Sequence, residues 1–178
     1  RLEEQRAYRK SAMDLVNEQI TKRFAAAVTT ELPVKERLAQ FWSNHFTVSH
    51  QGKPQLATAC AAFENEAIRP HLDGHFVHML LSVASHPVML MYLDNAQSIG
   101  PSSQVGRRRG AGINENYARE VLELHTLGVD GGYSQDDVIG LARMLTGWTI
   151  GNDRLARFGA KTGEFAFVEP MHEPGTHR

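Results

Sequence analysis

Residues 114–128 read N-E-N-Y-A-R-E-V-L-E-L-H-T-L-G, and the rest of the chain is best interpreted around them. At about 100° per residue, the polar side chains of this stretch fall on one arc of a helix and most apolar side chains on the other. Asn114 is suited to cap the start of the helix, and Gly128 can adopt the positive φ that often follows a helix end. The stretch therefore predicts a short amphipathic helix.

The polar arc of this helix carries most of its ionisable side chains. It contains three carboxylates and one arginine: Glu115, Glu120, Glu123 and Arg119. As an exposed stripe, such charges stabilise a helix by only a few tenths of a kcal/mol per pair. In a cleft, by contrast, burial would raise a carboxylate pKa, and Asn116, Glu120 and Glu123 would suit acid–base work or binding of a hard cation. His125 lies on the apolar arc, where a lone histidine is usually a hydrogen-bonded core residue.

Length and composition are those of a soluble globular domain. The chain has 178 residues, of which 42% are hydrophobic and 22% charged, so it can bury the core of one domain. A net charge of −1 gives no bulk reason to expect nucleic acid or an anionic membrane as a partner. No apolar run approaches the roughly 18 residues that a membrane-spanning helix needs. The chain does not begin with Met, and we expect it to be a segment of a longer protein.

Helical periodicity dominates the chain up to about residue 150, with breaks at proline and glycine. The predicted helices cover residues 1–28, 33–46, 56–69, 74–85, 87–93, 114–127 and 135–147. Residues 154–158 and 164–168 flank the turn G-A-K-T-G and predict a β-hairpin. The fold class is therefore mainly α, an irregular domain of six or seven helices with a small hairpin near the C-terminus. We expect one domain over 1–178, with a peripheral helix at 1–32, a helical core at 33–150, and the hairpin and terminal loop at 151–178.

Residues 96–113 form a predicted loop that is rich in glycine and serine. It carries three consecutive arginines, Arg107, Arg108 and Arg109. Loops of this length are usually either functional or disordered. The arginines are accordingly either a solvated run or a contact for an anion or a partner.

The sequence contains no strong metal or cofactor motif. It lacks H-E-x-x-H, C-x-x-C, a phosphate-binding loop, a dinucleotide fingerprint and a nucleophile elbow. His71, His75 and His78 have the spacing of ligands on one helix face, but the turn at Asp73-Gly74 interrupts them. The sequence thus leaves metal and cofactor unassigned.

Five motifs in a fixed order nevertheless resemble a known family. They are F-W-S-N-H-F (41–46), E-N-E-A-I-R-P (64–70), H-P-V-M-L-M-Y-L-D-N (86–95), N-E-N-Y-A-R-E-V-L-E-L-H-T-L-G (114–128) and D-V-I-G-L-A-R-M-L-T-G-W (137–148). The closing M-H-E-P-G (171–175) also fits, with Glu173 where aspartate is common. From about residue 33 to its end, the chain resembles the bacterial family known as domain of unknown function 1800.

The resemblance implies a longer bacterial protein that is exported to the periplasm or beyond. It also implies a partner of the alkaline-phosphatase or sulfatase-like class, but it supplies no reaction. His125 is a position where the family also accepts phenylalanine, which favours the core assignment. The family pattern carries Trp42, Asn44, His45, Arg69, Asp94, Asn114, Glu115, Asn116, Arg119, Glu120, Glu123 and His172.

These observations give one hypothesis for the site and two for the function. The hypothetical catalytic residues are Glu120, Glu123, His45 and Asn116. The hypothetical binding residues are Asn44, Arg69, Asp94, Glu115, Arg119 and His172. The first function is hydrolysis of an envelope or extracellular polymer in a Glu/His/Asn cleft. The alternative is a non-catalytic binding or scaffolding module that works with the sulfatase- or phosphatase-like partner.

Overall fold

The computed structural model describes residues 2–51 and 53–176, apart from the side chains of residues 2, 5 and 8. Residues 1, 177 and 178, which the predicted first helix and terminal loop include, lie outside the described residues. The protein is 61% helical, with eight α-helices and one two-stranded antiparallel sheet near the C-terminus in the described part. This confirms the predicted fold class. The chain divides into two compact units, residues 1–83 and 84–178, while the proposed three-segment division stays a prediction.

The first unit begins with two helices whose bounds match the sequence patterns. Helix α1 spans Leu2–Thr29, and α2 spans Pro33–His45 with proline at its first position, where a missing N–H costs nothing. Helix α1 buries Val16 but leaves Ile20 and Phe24 exposed. The unit's core is formed by apolar side chains that are almost fully buried: Ala39, Phe46, Leu56, Phe63, Ala67, Ile68, Met79 and Val83.

The predicted third helix, over residues 56–69, differs in the structure. Helix α3 spans only Cys60–Phe63 and continues as a π-helical turn over Glu64–Ile68 and a 3₁₀ turn over Arg69–His71. Pro70 has no N–H, and its ring excludes the carbonyl four residues earlier, so regular α pairing cannot run through it. Helix α4 then spans Phe76–Ser85, as predicted.

In the second unit, side-chain caps fix where three helices begin. Helix α5 is Pro87–Tyr92, and the His86 Nδ1 accepts a hydrogen bond from the Val88 N–H at 3.2 Å. Helix α7 is Glu115–Glu120, and the Asn114 Oδ1 accepts one from the Tyr117 N–H at 3.1 Å. Helix α8 is Gln135–Met144 and starts with a reciprocal capping box between Ser134 and Asp137. These caps confirm the predicted helix starts.

The helix of residues 114–128 contains a break that the sequence did not predict. After α7 the chain forms a π-helical turn over Val121–Thr126, and the Leu127 N–H donates to the Leu122 carbonyl at 2.8 Å. Gly128 then adopts φ +89°, the positive value expected after the helix end. His125 is only 4% exposed, which confirms its assignment to the core.

Only one of the two strands lies where the hairpin was predicted. Strand β1 is Trp148–Ile150 and pairs antiparallel with β2, Phe165–Phe167, with Thr149 opposite Ala166. Residues 154–158 are therefore not a strand; a 3₁₀ turn occupies Ala156–Phe158. The aromatic and β-branched residues directly after Gly147, which adopts φ +80°, form the strand instead.

The predicted loop of residues 96–113 is more ordered than its composition suggests. It contains the four-residue helix α6, Gly106–Arg109, which ends at Gly110 with φ +61°. The Gly100 N–H donates to the Met171 carbonyl at 2.8 Å, and the Val105 N–H donates to the Pro170 carbonyl at 3.0 Å. These bonds join segments about 65 to 70 positions apart in sequence, so local patterns could not reveal them.

Substituting Gly106 by alanine is expected to lower the free energy of unfolding by about 3 kcal/mol. A Cβ at this position would overlap the Gly100 carbonyl oxygen, which belongs to the backbone and cannot turn aside. Gly112→Ala is the matched control, because a Cβ there meets no atom within 4 Å. Chemical denaturation of both variants measures the difference, and equal stability would contradict the tight packing of α6.

Candidate functional site

Two carboxylates lie where α7 passes into its π-helical turn. Glu120 is the last residue of α7, Glu123 lies within the turn, and both side chains are half-buried. Partial burial, and then the negative charge of Glu123, raise the pKa of Glu120. The Tyr133 hydroxyl donates to Glu123 Oε2 at 3.3 Å. The structure therefore groups two of the predicted catalytic residues with a tyrosine that the sequence did not single out.

Two other polar residues of α7, Glu115 and Arg119, contact the start of α8. The Gln135 side chain at the start of α8 donates through Nε2 to Glu115 Oε2 at 2.8 Å and accepts from the Arg119 guanidinium at 2.7 Å. Glu115 and Arg119 are thus linked through one amide and tie α7 to α8. Asn116 is exposed. The polar arc is consequently neither a simple solvated stripe nor wholly a cleft.

His172 is held in a defined orientation by the loop that follows α8. Its Nδ1 lies 2.9 Å from the Thr146 carbonyl oxygen, which can only accept, so Nδ1 carries a hydrogen. In the neutral ring the lone pair is then on Nε2. The buried Thr146 hydroxyl accepts from the Glu173 N–H at 2.8 Å and so fixes the adjoining loop. The ring of Phe167 lies 5.2 Å from the imidazole, edge to face.

Asp94 and Glu115 line one shallow pocket of the second unit. The pocket has a volume of about 310 Å³ and also includes Gln97 and Asn114. Asp94 adopts φ +59°, a left-handed conformation that aspartate tolerates better than most residues. Two of the predicted binding residues are therefore neighbours, beside the cap of α7.

Arg69 is the centre of an ion-pair network in the first unit. Its guanidinium binds Glu36 through two hydrogen bonds of 2.8 Å and binds Glu64 Oε1 at 2.7 and 2.9 Å. The other oxygen of Glu64 accepts from Arg23 at 2.7 Å and from the Ser43 hydroxyl at 2.8 Å. Hydrogen bonding to Arg69 holds the pKa of Glu36 below its usual range. Glu36 and Glu64 are only 7% and 9% exposed, so two guanidinium groups balance two buried carboxylates.

A larger cleft adjoins this network. Its volume is about 600 Å³, and its walls include Asn44, Arg69, Glu64 and residues of α1. The predicted binding residues Asn44 and Arg69 therefore line the same cleft. The Arg69 guanidinium is already hydrogen-bonded to two carboxylates of the network. Apolar side chains such as Ile20 and Ala61 line the same cleft and make it amphipathic.

His45 lies in an aromatic cluster at the end of α2. Its ring is 4.6 Å from that of Phe46 and 5.4 Å from that of Trp42, both edge to face. Asn44, His45 and Arg69 belong to the first unit, whereas every other predicted site residue belongs to the second.

The residues that the structure describes contain no group of three or more His, Cys, Asp or Glu side chains that could hold a metal ion. The rings of His75 and His78 lie 5.8 Å apart, but no third ligand among the described residues joins them.

Sequence reasoning missed several partners of the predicted residues. Glu36, Glu64, Tyr133, Gln135 and Thr146 all hold a predicted residue in place. Only Glu64 carried a signal, because Glu64 and Arg69 are five residues apart, the spacing that a π turn brings together. The others act across contacts distant in sequence, for which no local pattern exists.

The fold and these clusters define a mainly helical protein whose polar residues gather where helices are interrupted. The chain belongs to the family described as Protein of unknown function (DUF1800), whose model matches residues 2–178. The match confirms the resemblance and extends it over nearly the whole chain. Searches of curated proteins and of solved structures each gave no significant match. None of the helices in the described residues has the length and hydropathy needed to cross a bilayer.

Proposed function

We propose that the chain is part of an exported bacterial hydrolase that acts on an envelope or extracellular polymer. Glu120 is the proton donor and Glu123 the base. The observation that carries this proposal is the half-buried Glu120 beside Glu123, with its pKa raised by burial and by that neighbour. A carboxyl group whose pKa is raised keeps its proton to higher pH and can therefore act as the acid beside a second carboxylate.

Other residues have supporting roles in this proposal. Tyr133 orients Glu123 through its hydroxyl, and the exposed Asn116 contacts substrate from the first turn of α7. The π-helical turn is consistent with a site, because such turns are rare and often occur at functional positions. The roles proposed for His45, Asn44 and Arg69, and the periplasmic or extracellular location, rest on the family resemblance.

The test is the pH dependence of polymer hydrolysis by the purified chain. We expect soluble fragments to be released from peptidoglycan or an acidic polysaccharide, at a rate that declines toward high pH. Since Glu120 must be protonated to donate a proton, activity should fall as pH rises through its raised pKa. A profile that keeps rising above pH 8 would exclude Glu120 as the acid.

The second candidate function is a non-catalytic binding module that works with a sulfatase- or phosphatase-like partner. The paired network of Glu36, Arg69, Glu64 and Arg23 favours it, because such a network forms a rigid wall for the adjoining cleft without offering a reactive group. The absence of hydrolysis on any polymer, together with a stable complex between the two purified proteins in analytical ultracentrifugation, would support this function over the first.

A further inference from the structure

The arginine turn, Arg107–Arg109, lies on a rigid support. Its first helical residue, Gly106, packs directly on the Gly100 backbone. The Ser103 hydroxyl is buried and accepts from the Gly106 N–H at 3.0 Å. The Arg107 N–H donates to the Ser103 carbonyl at 3.1 Å, and the Gly110 N–H donates to the Gly106 carbonyl at 2.9 Å. The fold therefore presents these arginines at a fixed place.

The three arginine side chains are exposed and uncompensated. None of them forms an ion pair with a carboxylate or a side-chain hydrogen bond within residues 2–51 and 53–176. Three adjacent guanidinium groups on one turn repel one another, and no carboxylate of the described residues pairs with them to offset that cost. Such a surface is suited to an external anionic partner, because guanidinium forks bind carboxylate, sulfate and phosphate groups well.

The geometry of the turn determines what kind of anion fits. Successive helical residues diverge by about 100°, so Arg107 and Arg109 point roughly 200° apart around the axis. Three side chains that diverge this far cannot converge on one small anion. They can instead meet successive charges along an extended chain that passes around the turn.

The net charge of the whole protein indicates which class of anionic polymer fits the turn. Nucleic acid carries a charge every 1.7 Å of duplex axis, and proteins that bind it usually have a strongly basic domain. This chain has a net charge of −1 and a pI near 6.8. Three local arginines on a nearly neutral protein therefore suit a polymer with more widely spaced charges.

From these observations we infer that the arginine turn binds an acidic polysaccharide, one with carboxylate or sulfate groups repeated along the chain. The turn hydrogen-bonds through Val105 to Pro170, two residues before His172, so the bound polymer would run beside the loop that orients His172. The inference adds a substrate class to the proposed function. It rests on the proposed hydrolysis only in calling the bound polysaccharide a substrate. Binding would occur whether or not Glu120 and Glu123 cleave the polymer.

The test measures binding of the full chain to polygalacturonate and to dextran sulfate by biolayer interferometry. We expect wild-type binding that weakens as salt rises from about 0.02 to 0.3 M, because the screening length shortens over that range. Arg107→Gln, Arg108→Gln and Arg109→Gln combined should weaken binding about tenfold or more. Uncharged dextran should not bind.

The control replaces three exposed positive charges elsewhere, Arg6→Gln, Arg9→Gln and Lys10→Gln on α1. It produces the same change in net charge and should keep wild-type affinity. Equal loss in both triple variants would overturn the inference, and so would unchanged binding by the arginine-turn variant. Tighter binding to anionic phospholipid vesicles or to polyglutamate than to either polysaccharide would also overturn it. Because these readouts do not require turnover, their failure is distinct from failure of the proposed hydrolysis.

Discussion

Replacing Glu120 by glutamine is expected to lower polymer hydrolysis by about 100- to 10,000-fold, the range that loss of a positioned acid or base produces. Glutamine keeps the shape of the side chain but has no proton to give at neutral pH. The folded protein should not lose stability. A carboxyl group with a raised pKa in the folded state opposes folding when ionised, so neutral glutamine removes that cost. The thermal midpoint should therefore stay the same or rise.

The matched control is Asp136→Asn, which neutralises an exposed carboxylate at the start of α8. Its hydrolysis rate should stay near the wild-type value. A binding or scaffolding module would behave differently, since neither the wild-type protein nor either variant would then hydrolyse the polymer. Hydrolysis rates of the three proteins separate the two functions, and melting curves establish that each protein is folded.

Arg69→Ala is expected to lower the free energy of unfolding by about 3 to 5 kcal/mol, the cost of removing one partner from a buried ion pair. Arg69 supplies four hydrogen bonds to Glu36 and Glu64. Without it, two carboxylates that are almost fully buried would share a single guanidinium, that of Arg23, which reaches only Glu64. That unpaired charge, rather than the lost contacts, dominates the expected effect.

The two tryptophans allow the expected loss of stability to be assigned to one of the two units. Trp42 belongs to the first unit and Trp148 to the second, so fluorescence of a Trp148→Phe background follows unfolding of the first unit alone. Arg37→Ala removes an exposed arginine from the same helix as Glu36 and should change stability by no more than about 0.5 kcal/mol. A similarly small effect for Arg69→Ala would show that the network does not stabilise the unit.

Features set by neighbouring residues could be predicted from the sequence. The caps at His86, Asn114 and Ser134 and the glycine after the central helix follow from side-chain and backbone chemistry within a few positions. The burial of His125 followed from helical periodicity, because it lies on the apolar arc. Strand β1 could not be placed in this way, because its three residues are defined by pairing with a partner about 17 positions away.

The candidate site residues were chosen from the sequence, but their groupings could not be. The sequence identified Glu120 and Glu123, yet the tyrosine that holds Glu123 comes from a later turn. It identified Arg69 from a motif, but Glu36 lies 33 residues earlier and is recognised only through the fold. Side chains that converge from separate elements leave no spacing to detect, so the pairs had to come from the structure.

The π-helical turns make segment length a constraint separate from composition. A π turn holds about one residue more than an α turn, so deleting one residue from Val121–Thr126 would restore regular α pairing. Side chains downstream on that helix would then keep their present faces, because the wide turn takes up the extra residue locally. A single deletion at this point therefore removes the π turn, whereas a single deletion within α7, Glu115–Glu120, would rotate every later side chain of the helix by about 100°.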